Sequence, residues 1–208
     1  TTASNSASSI SASLARRSRA AGSSGLSLAA VALIASAIVF VRVMVEVSLT
    51  APGHLREMLP PLLAMMVWFG LVAAVVHHRS QQAGSVATDE APPSELKSAV
   101  LFGLLYAVVL VVVAAAHEHF GNSGLYVAAA LSGLTDVDAI TLSTSRLVTT
   151  GHLDSGIGWR MILLGGLANV VFKMGLVAVL GTRHFIRPAL LGFSAALMGG
   201  AAMLFLWP

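Results

Sequence analysis

Asp136 and Asp138 are the residues of this chain best suited to chemistry, because they fall in LSGLTDVDAITLSTSR, residues 131–146, within a stretch that otherwise reads as membrane-embedded. A carboxylate near a bilayer centre costs roughly 2.5–3.5 kcal/mol on insertion scales. Two of them require a local reason: a bound cation, a buried basic partner, water, or a helix start whose amide groups need acceptors. On an unbroken helix residues two apart project to nearly opposite faces and cannot share one ion. A break near Gly133 removes that objection. Thr135 would then cap a half-helix, Asp138 would take the third position of a Thr-x-x-Asp box, and Asp136 would lie in the first turn. Capping alone is one account of the two acids, and capping combined with cation binding is the other.

From Asp138 the hydroxyls of Thr141 and Ser145 continue on roughly the same helical face, a polar stripe that would serve either a cation or close interhelical packing. Asn169 and Lys173 are four apart and share a face, with Gly165 one turn earlier permitting close approach to a neighbour. Lys173 is the expected counter-charge of Asp136 or Asp138 when no ion is bound. Arg42 and Glu46, also four apart, read as an intrahelical ion pair near a span end. His117, Glu118 and His119 read as a solvated boundary rather than a metal site. No Gly-x-Ser-x-Gly, His-Glu-x-x-His or Gly-x-x-x-x-Gly-Lys pattern occurs, so enzymatic activity is not expected.

The elements that must position these residues are membrane helices. The chain is 56% hydrophobic and 10% charged, with a mean hydropathy of +0.85, outside the balance of soluble domains. Apolar runs at 26–47, 62–76, 99–116, 157–180 and 189–207 approach or exceed the roughly 20 residues of a membrane span. Residues 125–134 are too few to cross before the acids begin, which predicts a broken helix there. The fold class is therefore all-α, a polytopic transmembrane bundle of about six segments including one broken helix. Residues 1–208 read as a single transmembrane domain, expected to be the C-terminal part of a longer protein. Residues 1–25 read as the remnant of a preceding membrane segment and a basic turn. Pro52, Gly53, Pro60 and Pro61 mark a stop and restart, and 80–97 a polar linker.

With no cysteine, candidate metal ligands reduce to oxygen and imidazole. The net charge of +3 sits at span ends, which points to membrane orientation and not to nucleic acid. If every segment crosses, Arg16, Arg17, Arg19, Arg79, Lys97, Arg146 and Arg160 fall on one side, the cytoplasmic one, and Arg56, Arg183 and Arg187 on the other. ISASLARRSR (10–19) also echoes ITLSTSRLVT (140–149), each followed by a glycine-containing turn and a long apolar helix. A one-residue slip then pairs Arg42 with Lys173. Read as a duplication, this is a parallel internal repeat; the other reading is chance similarity of small-residue helices.

The segments SLARRSR (13–19), FVRVMVEV (40–47), PPLLAMM (60–66), ELKSAVLFGLLYA (95–107) and GLYVAAALSGLTDVDAITLSTSRL (124–147) together resemble the domain of unknown function 4010, the C-terminal membrane module of MgtC/SapB-type proteins. The resemblance implies a multi-pass protein of the bacterial inner membrane, preceded in the same protein by an MgtC-like portion. The family name is linked to magnesium, and the family offers no catalytic residues to carry over. The expected function is a cation transporter or channel-like module, with magnesium or another cation as substrate. Asp136, Asp138, Thr135, Thr141 and Asn169 would be its oxygen ligands, with Asp136 and Asp138 on the metal, and Lys173 the displaced counter-charge. The alternative is a regulatory or scaffolding membrane protein that transports nothing. Expected partners are the lipid bilayer, the MgtC-like portion and further copies of the chain.

Overall fold

The structure, a computed structural model, describes residues 2–82, 125–180 and 183–207, with side chains from residue 25 onward except those of 180, 183 and 184. The described residues form six α-helices, one short 3-10 turn and no strand. These are α1 (Thr2–Thr50), the turn Pro52–His54, α2 (Leu55–Gln82), α3 (Leu125–Thr135), α4 (Val137–Thr149), α5 (Ser155–Leu180) and α6 (Arg183–Leu206). Four stretches are long and apolar enough to cross a membrane: Gly25–Thr50, Pro52–Gln82, Ser155–Val179 and Phe185–Leu206. The fold is thus an all-α membrane bundle. The span expected at 99–116, most of the 80–97 linker and the His117–His119 cluster lie outside the described residues.

Two expected interruptions are absent. α1 runs unbroken through 16–25, where a basic turn was expected. Gly22 and Gly25 each cost the helix only about 1 kcal/mol, and the surrounding arginine, alanine and leucine sustain it. Pro60 and Pro61 lie inside α2. The hydrogen bonds they forgo are those to the carbonyls of Arg56 and Glu57, in the first turn of the helix at the bundle end.

Helix direction follows from contacts at the ends. Ser27 Oγ and Ser80 Oγ are 2.8 Å apart, so α1 and α2 are antiparallel, joined at what is termed here the loop end. α4 also finishes at the loop end, since Thr149 Oγ1 donates to Thr50 O at 2.9 Å. α5 starts there, with Ser155 Oγ bonded to the Glu57 carboxylate. α6 returns there, where the Arg160 guanidinium donates to Trp207 O at 3.1 Å. Arg146 and Arg160 therefore share the loop end with Arg56, opposite Arg79, which corrects the expected split. That split needs an even number of crossings between Arg79 and Arg146, whereas the ends that they occupy require an odd number. For the same reason α1 and α5, the helices that the internal echo equates, run antiparallel, and a parallel repeat does not describe this arrangement.

The main core joins Leu33, Phe40 and Val47 of α1, Met58, Met65 and Phe69 of α2, Trp159, Ile162 and Leu163 of α5, and Phe193 of α6. Phe40 and Phe69 stack obliquely with centroids 5.4 Å apart. Val31, Ile38, Val45 and Leu49 remain exposed along α1, as a lipid-facing stripe does. A smaller cluster, Ala129, Ile140 and Met161, holds α3, α4 and α5 together.

Gly165 is the point where α5 meets both half-helices. A Cβ added there would lie 2.9 Å from Ile140 Cγ2 of α4 and 3.3 Å from Ala129 O of α3. A Cβ at Gly133 would collide with the Gly165 backbone itself. Gly133→Ala is therefore expected to destabilise the fold by about 1–3 kcal/mol, the usual cost of overpacking, read as a lower unfolding midpoint in lipid or detergent. Gly175→Ala, where nothing lies within 4 Å of the added carbon, should raise that midpoint slightly, by the helix preference of alanine over glycine.

Candidate functional site

The site is built on the interruption between α3 and α4, one residue wide. Asp136 N–H still donates to Ser132 O at 2.7 Å, completing α3. Asp136 then turns extended, φ −150° and ψ 107°, and its Oδ1 accepts the Asp138 N–H at 2.9 Å. An aspartate side chain can offer the backbone an acceptor that competes with helix continuation, so the break falls at the acid itself. The cap is thus Asp136 and not Thr135. Thr135 closes α3 and donates to Ser132 O at 3.0 Å. Nor does the chain break at Gly133, which stays helical and provides close contact instead.

Asp138, in the first turn of α4, reaches across to α1. Its carboxylate is paired with the Arg42 guanidinium, and Arg42 Nε contacts Glu46 Oε1 at 3.3 Å. A forked guanidinium can serve two carboxylates at once, which an ammonium does less well. Side-chain exposure is 66% for Arg42, 23% for Asp138 and 15% for Glu46, so the acids are more enclosed than the base between them. Glu46 Oε2 is buried without a hydrogen-bond partner. Asp136 faces the amide groups and partial positive charge at the start of α4. The remaining three groups, two carboxylates and one guanidinium, carry a formal charge of −1.

This arrangement corrects the expected pairing with Lys173. A Cβ at Gly166 would lie 3.2 Å from the Phe40 ring, which sets the two helices in register. Arg42 lies beyond Phe40 toward the loop end, and Lys173 lies beyond Gly166 toward the opposite end. Their levels differ by roughly 13 Å at 1.5 Å per residue. Among the described residues the salt bridges involve Arg42, Glu46 and Asp138, and none reaches Lys173. Asn169, half-buried one turn past Gly165, lies on the same side of the register as Lys173. Thr141 Oγ1 is fully buried and donates to Val137 O at 2.8 Å within its own helix. Among the described residues no three His, Cys, Asp or Glu side chains gather as a metal set. The intrahelical pair Arg42–Glu46 is present as the spacing indicated. Its membership in the Asp138 cluster was missed, although both residues fall within the apolar run 26–47.

Over residues 3–181 the chain matches the model of a family described as Domain of unknown function (DUF4010). The chain belongs to the DUF4010 family. The matched region contains Arg42, Glu46, Asp136 and Asp138, so the whole cluster is part of the DUF4010 module. A protein of Aquifex aeolicus (strain VF5), named only "Uncharacterized protein", is 32% identical over 126 residues, 61% of this chain and 54% of that protein. The chain thus matches about half the length of this curated relative. No solved structure matches.

Two results are expected from this geometry. Asp136→Ala should destabilise the DUF4010 bundle by about 1 kcal/mol through loss of the cap, whereas Asp136→Asn or Asp136→Ser should be nearly neutral. In a double-mutant cycle, Arg42→Gln and Asp138→Asn should show a coupling of about 0.5–3 kcal/mol, as residues in one ion-pair network do, read from chemical or thermal unfolding midpoints.

Proposed function

We propose that the chain is a cation-transport module of the bacterial inner membrane, with its site at Glu46 and Asp138 and with Arg42 as the resident counter-charge. The observation that carries this reading is the formal charge of −1 left among those three groups, Arg42 and Glu46 within a candidate membrane span and Asp138 packed against it. In a low-dielectric setting uncompensated charge is costly and marks ion pathways. Asp136 is engaged as a cap and Lys173 lies at another level, so neither is needed at the site.

One unit of positive charge, a proton or a monovalent ion, neutralises the cluster. Magnesium demands about six oxygens in octahedral array, and the described residues offer two carboxylates already bound to a guanidinium. The charge balance therefore favours a singly charged cation. Sequence supports the wider setting. Arg16, Arg17, Arg19, Arg79 and Arg187 belong to the end opposite the loop end, which the positive-inside rule makes cytoplasmic. On the MgtC/SapB resemblance, an MgtC-like portion of the same protein is the proposed partner, with further copies of the chain beside it in the bilayer.

A second reading has its own observation: the Arg42–Asp138 pair ties α1 to α4, as a purely scaffolding role would require. Flux separates the two. In proteoliposomes carrying the full-length protein, Glu46→Gln and Asp138→Asn should each remove most cation flux. Asp136→Asn, which retains the cap, should not. Absence of proton, sodium and magnesium flux in the unmodified protein would leave the scaffold.

A further inference from the structure

Four buried side-chain atoms among the described residues have no hydrogen-bond partner: Glu46 Oε2, His54 Nδ1, Thr144 Oγ1 and Ser145 Oγ. All belong to α1, α4 or the turn that follows α1, which touches α4. Ser145 is 0% exposed, and its direction can be derived. Asp138 and Thr149 both contact α1, at Arg42 and Thr50. At 3.6 residues per turn, Asp138, Ser145 and Thr149 lie within about 40° of one line along α4. Ser145 therefore faces α1 between those two contacts, at the level of Glu46 and Val47. Ser145 thus lies on the same seam as Glu46, whose Oε2 is also without a partner.

We infer that the seam between α1 and α4 is an aqueous access path, shut in this conformation, leading from the loop end to the Glu46 and Asp138 carboxylates, with Ser145 lining it. It would carry water and a singly charged cation. The inference rests on the proposed site and adds its route. Buried polar groups without a protein partner favour hydration, and this seam concentrates them. The polar bonds across it are ones that water can replace: the Arg42–Asp138 pair and the Thr149–Thr50 hydrogen bond. Val137 and Val148 of α4 also share the main core with Val43 and Val47 of α1, while Ile140 and Val148 pack against Gly165 and Gly158 of α5. α4 is also bounded by two non-helical joints, extended Asp136 and the turn at Gly151 with φ +73°. It can shift away from α1 without unwinding.

The charged groups on the elements around the path are few, with His152 and Asp154 in the loop at its mouth bonded to Thr150 and to the Gly156 amide. α1 presents Arg42, α4 presents Asp138 and its cap Asp136, and the turn presents His54. At the loop end Glu57 of α2 is bonded to Ser155 and Arg160 of α5 to the Gly156 and Trp207 carbonyls, with Arg56 and Arg146 beside that end. Lys173 and Arg187 belong to the opposite half of the bundle.

The chain has no cysteine, so single-cysteine labelling reads the seam directly. In vesicles containing the full-length protein, a small membrane-impermeant thiosulfonate added at the loop end should modify Ser145→Cys several-fold faster than Ser36→Cys. Ser36 is equally buried, but its hydroxyl is bonded to Ala32 O within α1. Equal, negligible modification of both, with Thr150→Cys in the exposed loop fully modified, would overturn the path. So would modification of Ser145→Cys only from the opposite end. Hydrogen exchange on the unsubstituted protein supplies an independent reading: amides of α4 should exchange faster than those of α5 over 158–168, and equal protection would count against the seam. Labelling without flux would keep the path and remove the transport reading. Flux without labelling would do the reverse.

Discussion

A helix that begins inside a bilayer must find acceptors for its first amide groups, because no bulk water is there to supply them. In this chain Asp136 supplies one by capping the Asp138 amide, and much of the local arrangement follows. The cap fixes where α4 starts. That start places Asp138 against α1 at the level of Arg42. The short, separately begun half-helix then reaches the loop end beside Thr50, so that α5 starts beside α2. Gly133 and Gly165 let the backbones of α3 and α5 come close enough to carry this interruption on a shared contact.

The membrane character, four long apolar helices and a break near the acids were legible in sequence because each depends on local quantities: run length, hydropathy and a side chain able to cap. The Arg42–Glu46 pair was legible for the same reason, since four residues make one helical turn. What sequence did not supply was relative height. Lys173 had the right charge and a plausible face, yet helix register sets it about 13 Å from the level of Arg42, the base that does pair with Asp138. Direction was equally hidden. Hydropathy windows have no sign, so they do not fix whether each apolar run crosses. An even number of crossings between Arg79 and Arg146 places Arg146 and Arg160 with Arg79 and makes the internal echo a parallel repeat, whereas the structure requires an odd number.

Glu46 shows why the candidate site was only half visible. Read along α1, it is the intrahelical partner of Arg42 and needs nothing more. Read across to α4, the same guanidinium also serves Asp138, and the pair becomes a three-membered cluster with one negative charge in excess. Long-range pairing of this kind leaves no periodic trace in one chain. Its sole local sign was two charged residues inside an otherwise apolar span, for which an interfacial location gave a sufficient explanation.

On the proposed reading, Arg42 and a transported cation compete for the same carboxylates, and this competition gives the closed seam a physical role. A guanidinium tethered to α1 is always present at high local concentration, so it compensates the acids when no ion is bound and spares the bilayer most of their charge. The same bond draws α4 onto α1 and keeps Ser145 buried. An incoming cation that takes over one carboxylate weakens that bond, and water entering the seam screens what remains. Site loading and seam opening then favour one another without any long-range relay, because one ion pair governs both. The reciprocity of linked equilibria requires the converse as well: hydration of the seam raises the affinity of the acids for a cation by the same factor.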